Sequence, residues 1–267
     1  MNSISPNLNI MIKAAEKASK ILIRDFGELE KLQVSSKGPS DFVTNSDKKV
    51  EKILIEELTK SRNKFSIISE EIGEVKNSDK DNYWIIDPID GTSNFLHGIP
   101  HFAISIALKS NKEIVSGLVF DPIKNEMFYA EKGGGAFLNN SRIRVSSKKK
   151  LKDCLIITGG PKHSSQNRDK IYSEYINVSK NILSPIRKFG SAALDISYVA
   201  AGRFDGYWQR ELNYWDIAAG LVILREAGGL VDFFENDEKA PLKKNILASN
   251  SHIHNELNDL ILKKNIE

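Results

Sequence analysis

The sequence predicts a mixed α/β fold of two sheet-and-helix halves that meet near residue 146. The chain has 267 residues, enough for one large or two modest domains. Up to residue 145, short apolar runs alternate with polar or Asp-Pro turns, which is typical of antiparallel strands. After the lysine run at 148–150, strands alternate with helices, and no low-complexity linker intervenes. We therefore predict halves at 1–146 and 147–267 that pack tightly together.

Helices open the N-terminal half. Apolar residues recur at helical spacing from Leu8 to Phe26, between Ser5-Pro6 and Gly27, which are favoured at helix starts and ends. A second helix is predicted from about Ser46 to Leu58. The predicted strands that follow are 65–69, 83–87, 102–109, 113–121 and 125–132, and the segments 133–140 and 141–145 complete the half.

The C-terminal half begins with an apolar strand and ends with a helix. Its longest helix pattern, 216–229, closes at Gly228-Gly229, because glycine suits the residue after a helix. In chain order we predict a strand at 154–158, a polar helix near 166–181, the segment 184–190, a helix at 191–202, a strand at 203–209, the helix at 216–229, strands at 230–234 and 245–249, and a terminal helix.

Composition excludes several classes of function. Lys plus Arg number 38 and Asp plus Glu 35, and this net charge of +3 is too small and scattered to indicate nucleic-acid or membrane binding. The single cysteine, Cys154, excludes an internal disulfide and lies in an apolar run, so we expect it in the core. No segment resembles a signal peptide or a membrane span, and we predict a cytoplasmic protein.

Carboxylates gather at the ends of predicted elements. Glu70 follows the first strand, Asp87 and Asp90 follow the second, and Asp47 and Asp216 each open a helix. Taken singly, each suits an ordinary helix cap or an Asp-Pro turn. Together they would repel one another unless a cation were present, and hard oxygen ligands select Mg²⁺.

The stretch DGTSNFLHG, residues 90–98, adds a second feature. Gly91 allows close approach of the backbone, and Thr92 and Ser93 lead into a helical turn whose N–H groups suit a phosphate oxygen. Metals beside a phosphate site indicate phosphoryl transfer. Because the chain has no Walker-type or kinase-type loop, we favour hydrolysis over nucleotide-driven transfer.

Two motifs carry a resemblance to a known family. WIIDPIDGTSNF (84–95) and WDIAAGLVILREAGG (215–229) resemble the two signatures of the inositol monophosphatase family, specifically of its bacterial members. DFVTNSDKKVE, IISEEIG and RKFGSAALDISYVAAGRFDG match in order and spacing, so the resemblance runs from roughly Ser35 to Gly229. It implies an alternating five-layer αβαβα sandwich, usually a homodimer, that acts as a lithium-sensitive phosphomonoesterase with two to three Mg²⁺ ions.

The resemblance also implies a role for particular residues. It places one metal on Glu70, Asp87 and the backbone carbonyl of Ile89, a second among Asp87, Asp90 and Asp216, and a third, weaker one near Glu70.

Asp47 and Thr92 would position the attacking water near Glu70, so no side-chain nucleophile is needed. Beside Asp90, the residues that would cradle the phosphate are Gly91, Thr92 and Ser93, and those that would line the alcohol are Arg187, Gly190, Ser191, Ala192 and Gln209.

Gln209 departs from the family pattern, which has a glutamate there. An amide donates as well as accepts, and Glu211 lies two residues along the same strand. The identity of the alcohol part of the substrate therefore stays open. Inositol-1-phosphate is the first expectation, and histidinol phosphate or fructose 1,6-bisphosphate are alternatives. A protein that binds the transcription machinery is a third hypothesis. We interpret His97 and His101 as surface or packing residues.

Overall fold

A computed structural model describes residues 4–29, 34–38, 41–162, 164–235 and 243–262. Its elements stack in five alternating layers of helix and sheet. The helices are α1 Pro6–Phe26, α2 Asn45–Ser61, α3 Thr92–Leu96, α4 Arg168–Ser179, α5 Ala192–Ala200, α6 Tyr214–Glu226 and α7 His254–Leu262. The strands are β1 Val34–Gly38, β2 Asp41–Thr44, β3 Ser66–Ser69, β4 Gly73–Val75, β5 Asn82–Asp90, β6 Ala103–Ser110, β7 Glu113–Asp121, β8 Glu126–Glu131, β9 Gly135–Leu138, β10 Ser141–Ile143, β11 Ile156–Thr158, β12 Gly206–Asn213, β13 Leu230–Phe233 and β14 Lys243–Ser249.

The first two layers are a helix pair and an eight-stranded sheet. The sheet runs β10-β9-β8-β7-β6-β5-β3-β4, and its pairs are antiparallel except β3 with β5. α1 and α2 cover one face, where Leu22, Leu54 and Trp84 are fully buried in one apolar cluster. At the start of α1, the Ser5 hydroxyl accepts a hydrogen bond from Leu8 N–H at 3.2 Å, as helix caps do.

Helices α5 and α6 form the middle layer, between the two sheets. Close packing depends on two glycines: a Cβ on Gly117 of β7 would lie 2.5 Å from the Ala219 carbonyl oxygen of α6, and one on Gly220 would lie 2.9 Å from Ile196 of α5. Larger side chains at these positions would force the central helices away from the sheet and from each other.

The fourth layer is a four-stranded sheet in the order β11-β12-β14-β13, in which only the β11–β12 pair is parallel. The fifth layer, α4 and α7, packs on its outer face, where Cys154, Trp208 and Leu257 are buried. The five-layer αβαβα sandwich is therefore confirmed, and Cys154 lies in the core as expected. No helix in the described ranges is long and apolar enough to cross a membrane.

The predicted helices are confirmed to within a few residues, but two strand boundaries are wrong. The strand predicted to end at 87 continues to Asp90. Pro88 is accommodated because the pairing of β5 with β6 shifts register between Asp87 and Asp90. The strand predicted at 203–209 lies at 206–213. The hairpin of β1 and β2 and the short β4 were not predicted, and the segment 184–190 contributes only the bridge from Ile157 to Arg187. The boundary near residue 146 stays a prediction.

Candidate active site

Strand pairing brings the first three carboxylates together. β3 and β5 are parallel neighbours, so the residues at their carboxyl ends meet at one edge of the sheet. Glu70 directly follows β3, and its N–H donates to the Ile86 carbonyl at 3.3 Å. Asp87 and Asp90 lie at the irregular end of β5 and are 2% and 8% exposed. The local fold thus places three acidic residues next to one another.

Asp47 and Asp216 come from helix starts, and each sits in a capping box. The N–H groups of Thr44 and Asn213 donate to Oδ2 of Asp47 and Asp216, at 2.7 and 2.8 Å. The capping interpretation of these two residues is therefore correct. Each cap occupies Oδ2, so Oδ1 is directed elsewhere: Asp47 Oδ1 lies 3.4 Å from the Thr92 hydroxyl oxygen. One carboxylate can therefore both cap a helix and contribute to a site.

The carboxylates are held at an electrostatic cost. Burial and the negative charges of Glu70, Asp90 and Asp216 raise the pKa of Asp87 well above its usual range. Burial raises the pKa of Asp90 to about 6, although hydrogen bonds from Ser191 and Ala193 act against this shift. Burial and Asp90 raise the pKa of Asp216 to about 7. Such mutual elevation is typical of like charges gathered for a function rather than for stability.

The donor set fits a hard divalent cation. In the described ranges, no three His, Cys, Asp or Glu side chains already converge on one point as the ligands of a bound metal do. The chemistry nevertheless suits Mg²⁺, because the side chains at this end of the sheet are carboxylates, without a histidine or cysteine among them. They belong to Glu70, Asp87, Asp90 and Asp216. A cation here would remove the repulsion that raises the pKa values of Asp87, Asp90 and Asp216.

The turn after β5 requires a glycine. Gly91 has a φ of 96°, and a Cβ there would lie 3.1 Å from the His101 carbonyl oxygen. This turn leads into α3, whose first residue, Thr92, has its hydroxyl 2.9 Å from the Ile89 carbonyl oxygen. Ser93 is exposed in the first turn, where helix N–H groups lack acceptors within the helix. Thr92 therefore stands between Asp47 and Ile89.

The segment before α5 holds Asp90 in place. Ser191 caps α5, and its hydroxyl donates to Oδ2 of Asp90, as does the Ala193 N–H at 2.7 Å. Gly190 and Ala192 flank this cap, Gly190 with a φ of 87°. Arg187, by contrast, is exposed, and its guanidinium donates to the Pro185 carbonyl at 2.8 Å. Within the described residues, Arg187 forms no hydrogen bond or ion pair with the carboxylates of the cluster.

The sequence matches a known protein family. The family model described as the inositol monophosphatase family matches residues 4–265. The chain belongs to the inositol monophosphatase family. The family resemblance of the motifs is thereby confirmed, and this family member is an enzyme of the phosphatase class, as the sequence predicts.

The chain is similar to proteins named inositol-1-monophosphatase and to proteins named SuhB. An inositol-1-monophosphatase of Rhizobium meliloti is 49% identical over 254 residues, covering 95% of each chain. A protein of Escherichia coli named Nus factor SuhB is 41% identical over 251 residues, covering 93% of this chain and 92% of its own. The crystal structure of the extragenic suppressor protein suhB of Bartonella henselae superposes with a TM-score of 0.92 at 49% identity, covering 97% of this chain and 99% of that one.

Sequence patterns did not indicate two residues near the carboxylates, Asp195 and Tyr207. Asp195 of α5 is 1% exposed, and burial and the charge of Asp90 raise its pKa well above the usual range. His101 is buried with Nε2 3.4 Å from Asp195, so it is a packing residue, whereas His97 is exposed; both interpretations are confirmed. Tyr207 donates to Oε1 of Gln209 at 2.7 Å. Asp195 and Tyr207 look like ordinary members of a helix and a strand, so no local signal could have identified them.

Proposed function

We propose that this family member hydrolyses inositol-1-phosphate, or a similar small polyol phosphate, to the alcohol and inorganic phosphate in a Mg²⁺-dependent reaction. The observation that supports the proposal most is the mutual elevation of carboxyl pKa values at Asp87, Asp90 and Asp216, beside the turn at Gly91. A site with this much negative charge could hold an anionic phosphate only together with cations.

The proposed ligands follow the strand and helix ends. Glu70, Asp87 and the Ile89 carbonyl would hold one Mg²⁺, and Asp87, Asp90 and Asp216 a second. A third, weaker ion would bind near Glu70. When bound, Mg²⁺ supplies positive charge that stabilises the developing negative charge on the phosphoryl and leaving-group oxygens.

The remaining proposed roles belong to the chain itself. Thr92 and Asp47 would orient a water molecule towards phosphorus, because the Thr92 hydroxyl lies 3.4 Å from Asp47 Oδ1. Burial raises the pKa of Asp47 to about 6, so near neutral pH this carboxylate can accept a proton that passes through Thr92. The backbone from Gly91 to Ser93 would hold the phosphate oxygens.

The alcohol would lie on the opposite side, towards the C-terminal half. Ser191 and the Ala193 N–H keep Asp90 in a fixed orientation. We propose that the backbone at Gly190 and Ala192 borders the alcohol, together with Gln209. Arg187 would reach it only after leaving the Pro185 carbonyl, and we assign it the outer rim. Action in the cytoplasm, dimer formation and lithium sensitivity stay predictions from the sequence.

A substrate panel tests the proposal. Purified protein with Mg²⁺ is offered inositol-1-phosphate, histidinol phosphate, fructose 1,6-bisphosphate and an aryl phosphate, and released phosphate is measured. We expect the highest kcat/KM with inositol-1-phosphate. Asp90→Asn keeps the shape of the side chain and removes one ligand charge, so it should reduce turnover by orders of magnitude. A preference for another ester would reassign the substrate, and no release from any ester would overturn the proposal.

A second candidate function follows from the relatives named Nus factor SuhB. It is a contact with the transcription machinery that is independent of catalysis. Asp90→Asn separates the two functions, since it removes activity without altering the surface. Purified RNA polymerase that is retained equally by the wild type and by Asp90→Asn would support the second function. No retention by either protein would exclude it.

A further inference from the structure

A cavity of about 400 Å³ lies in the C-terminal half. It is bordered by Lys162, by residues 164–167, by the middle of β12 and by the ends of the β13–β14 hairpin. Lys162 and Lys243 line it, and Lys243 pairs in the sheet with Asn213, whose N–H donates to Asp216 at 2.8 Å. The cavity therefore borders the strand pair that leads to Asp216, on the side of the C-terminal half.

Two glutamates that line this cavity have left-handed backbone. Glu211 has a φ of 61° and Glu235 one of 45°. Of the described non-glycine residues with positive φ, Glu211 alone lies within a strand; those between strands are Asn111, Lys112, Asn125, Asn139, Asn140 and Glu235. Asparagine tolerates this region, whereas glutamate rarely adopts it, and such conformations gather at functional sites.

A β-bulge accounts for the conformation of Glu211. Gln209 pairs with Ile246 and Leu212 with Lys244, so two residues of β12 oppose the single residue Asn245. The Glu211 N–H donates to the side-chain oxygen of Asn245, on the neighbouring strand β14, at 2.9 Å. The bulge thus turns the side chain of Glu211 towards the cavity.

The two glutamates differ in their partners. The carboxylate of Glu235 forms ion pairs with Arg210 at 2.9 Å and with Lys170. Glu211 accepts hydrogen bonds from Ser165 at 3.0 Å and Asn167 at 2.7 Å, both at Oε1. In the described ranges, Oε2 of Glu211 accepts no hydrogen bond and Glu211 forms no ion pair. It therefore presents an acceptor oxygen to the cavity.

The side-chain oxygen of Gln209, two residues earlier, is already engaged as an acceptor. Its Oε1 already accepts from the Tyr207 hydroxyl at 2.7 Å. A Cβ on Gly159 would lie 1.9 Å from the same oxygen, so the amide packs directly against the backbone there. The acceptor oxygen of Gln209 is therefore occupied, whereas Glu211 lines the cavity with an available one.

We propose that this cavity holds the alcohol of the phosphomonoester and that Glu211, rather than Gln209, accepts the hydrogen bonds of its hydroxyl groups. The inference rests on the proposed function and deepens it. It specifies the substrate class as esters of polyhydroxylated alcohols, because a carboxylate accepts hydroxyls from more than one direction. Esters without hydroxyl groups do not use this contact.

Steady-state kinetics with Mg²⁺ test the assignment on two substrates, inositol-1-phosphate and an aryl phosphate without hydroxyls. Glu211→Gln retains the shape and removes the charge, and we expect it to raise KM for inositol-1-phosphate about tenfold, since charged acceptors bind more strongly than neutral ones. Glu211→Gly adopts positive φ without strain and serves as the fold control, with the same or a larger rise in KM. Both variants should raise KM for inositol-1-phosphate by a much larger factor than KM for the aryl phosphate.

A matched substitution, Glu113→Gln, removes an exposed carboxylate outside the cavity and should alter neither substrate's constants. Unchanged KM for inositol-1-phosphate in both Glu211 variants would overturn the assignment, as would an equal loss with the aryl phosphate. Calorimetric binding of free inositol to the Mg²⁺-loaded protein is the second measurement and needs no turnover. Binding that is about tenfold weaker in Glu211→Gln supports the inference even if the phosphatase proposal fails, and equal or absent binding overturns it.

Discussion

Neutralising Asp216 should stabilise the metal-free protein. Asp216→Asn retains an oxygen that can accept the Asn213 N–H, so the helix cap persists, and it removes one charge from the carboxylate cluster. Most substitutions of a buried, hydrogen-bonded residue destabilise a protein. A gain in stability would therefore indicate that the native cluster is built for a cation.

The structure gives the magnitude and the pH range of this effect. Burial and Asp90 raise the pKa of Asp216 from 3.8 to about 7 in the folded protein. Above pH 7 the folded carboxylate is ionised at a cost of up to about 4 kcal/mol, and because the side chain retains some contact with water we expect about 2–4 kcal/mol. The cost falls as pH decreases from 7 and vanishes below about 3.8, where the unfolded chain is also protonated. The gain from Asp216→Asn should follow the same course.

Urea unfolding in excess chelator at pH 8 and pH 4.5 measures this gain. Asp81→Asn, the same chemical change at an exposed position, is the control and should alter the free energy of unfolding by less than about 0.5 kcal/mol. Saturating Mg²⁺ should stabilise the wild type more than Asp216→Asn and so reduce or reverse the gain. An Asp216→Asn protein that is less stable than the wild type at pH 8 without metal would refute the reasoning, as would equal stabilisation of both by Mg²⁺.

Three further outcomes are expected. Thr92→Ala should lower kcat at least about a hundredfold with Mg²⁺ affinity nearly unchanged, whereas Thr92→Ser retains the hydroxyl and most of the activity; loss of Mg²⁺ binding in calorimetry would contradict this role. Gly91→Ala should destabilise the fold by about 1–3 kcal/mol in urea unfolding, because φ is 96° and the Cβ would meet the His101 carbonyl. Burial and the charge of Lys124 lower the pKa of His101 from 6.5 to about 4, so between pH 6.5 and 4 the unfolded chain binds a proton that the folded chain does not. On acidification over this range, the free energy of unfolding should fall by up to about 3 kcal/mol more in the wild type than in His101→Gln. Equal falls in the two proteins would exclude this contribution.

The helices and most strands followed from sequence patterns and the five layers from the family resemblance, whereas some strand ends followed from neither. The apolar periodicity of α1 and the glycine pair after α6 mark elements whose bounds depend on local chemistry. The end of β5 depends instead on pairing with β6, which carries the strand past Pro88 to Asp90. Pairing between distant segments leaves no trace in a single stretch of sequence, so the irregular ends of β5 and β12 were misplaced.

The carboxylates were recognisable because each stands at the end of an element, but their neighbours were not. Ser191 was expected to line the alcohol, and its hydroxyl in fact bonds to Asp90, 101 residues away in the chain. Asp195 is one more polar residue in a helix until the fold sets it beside Asp90 and His101. The orientation of Glu211 depends on a bulge that only the pairing of β12 with β14 reveals.

The central claim is that the carboxylate cluster holds the metal that enables phosphate ester hydrolysis. The most direct test is phosphate release from inositol-1-phosphate by protein stripped with chelator, measured before and after Mg²⁺ is added back. If Asp87, Asp90 and Asp216 bind the required ions, the stripped protein should release no phosphate, and Mg²⁺ should restore turnover to the untreated rate. Full activity in excess chelator would contradict the account.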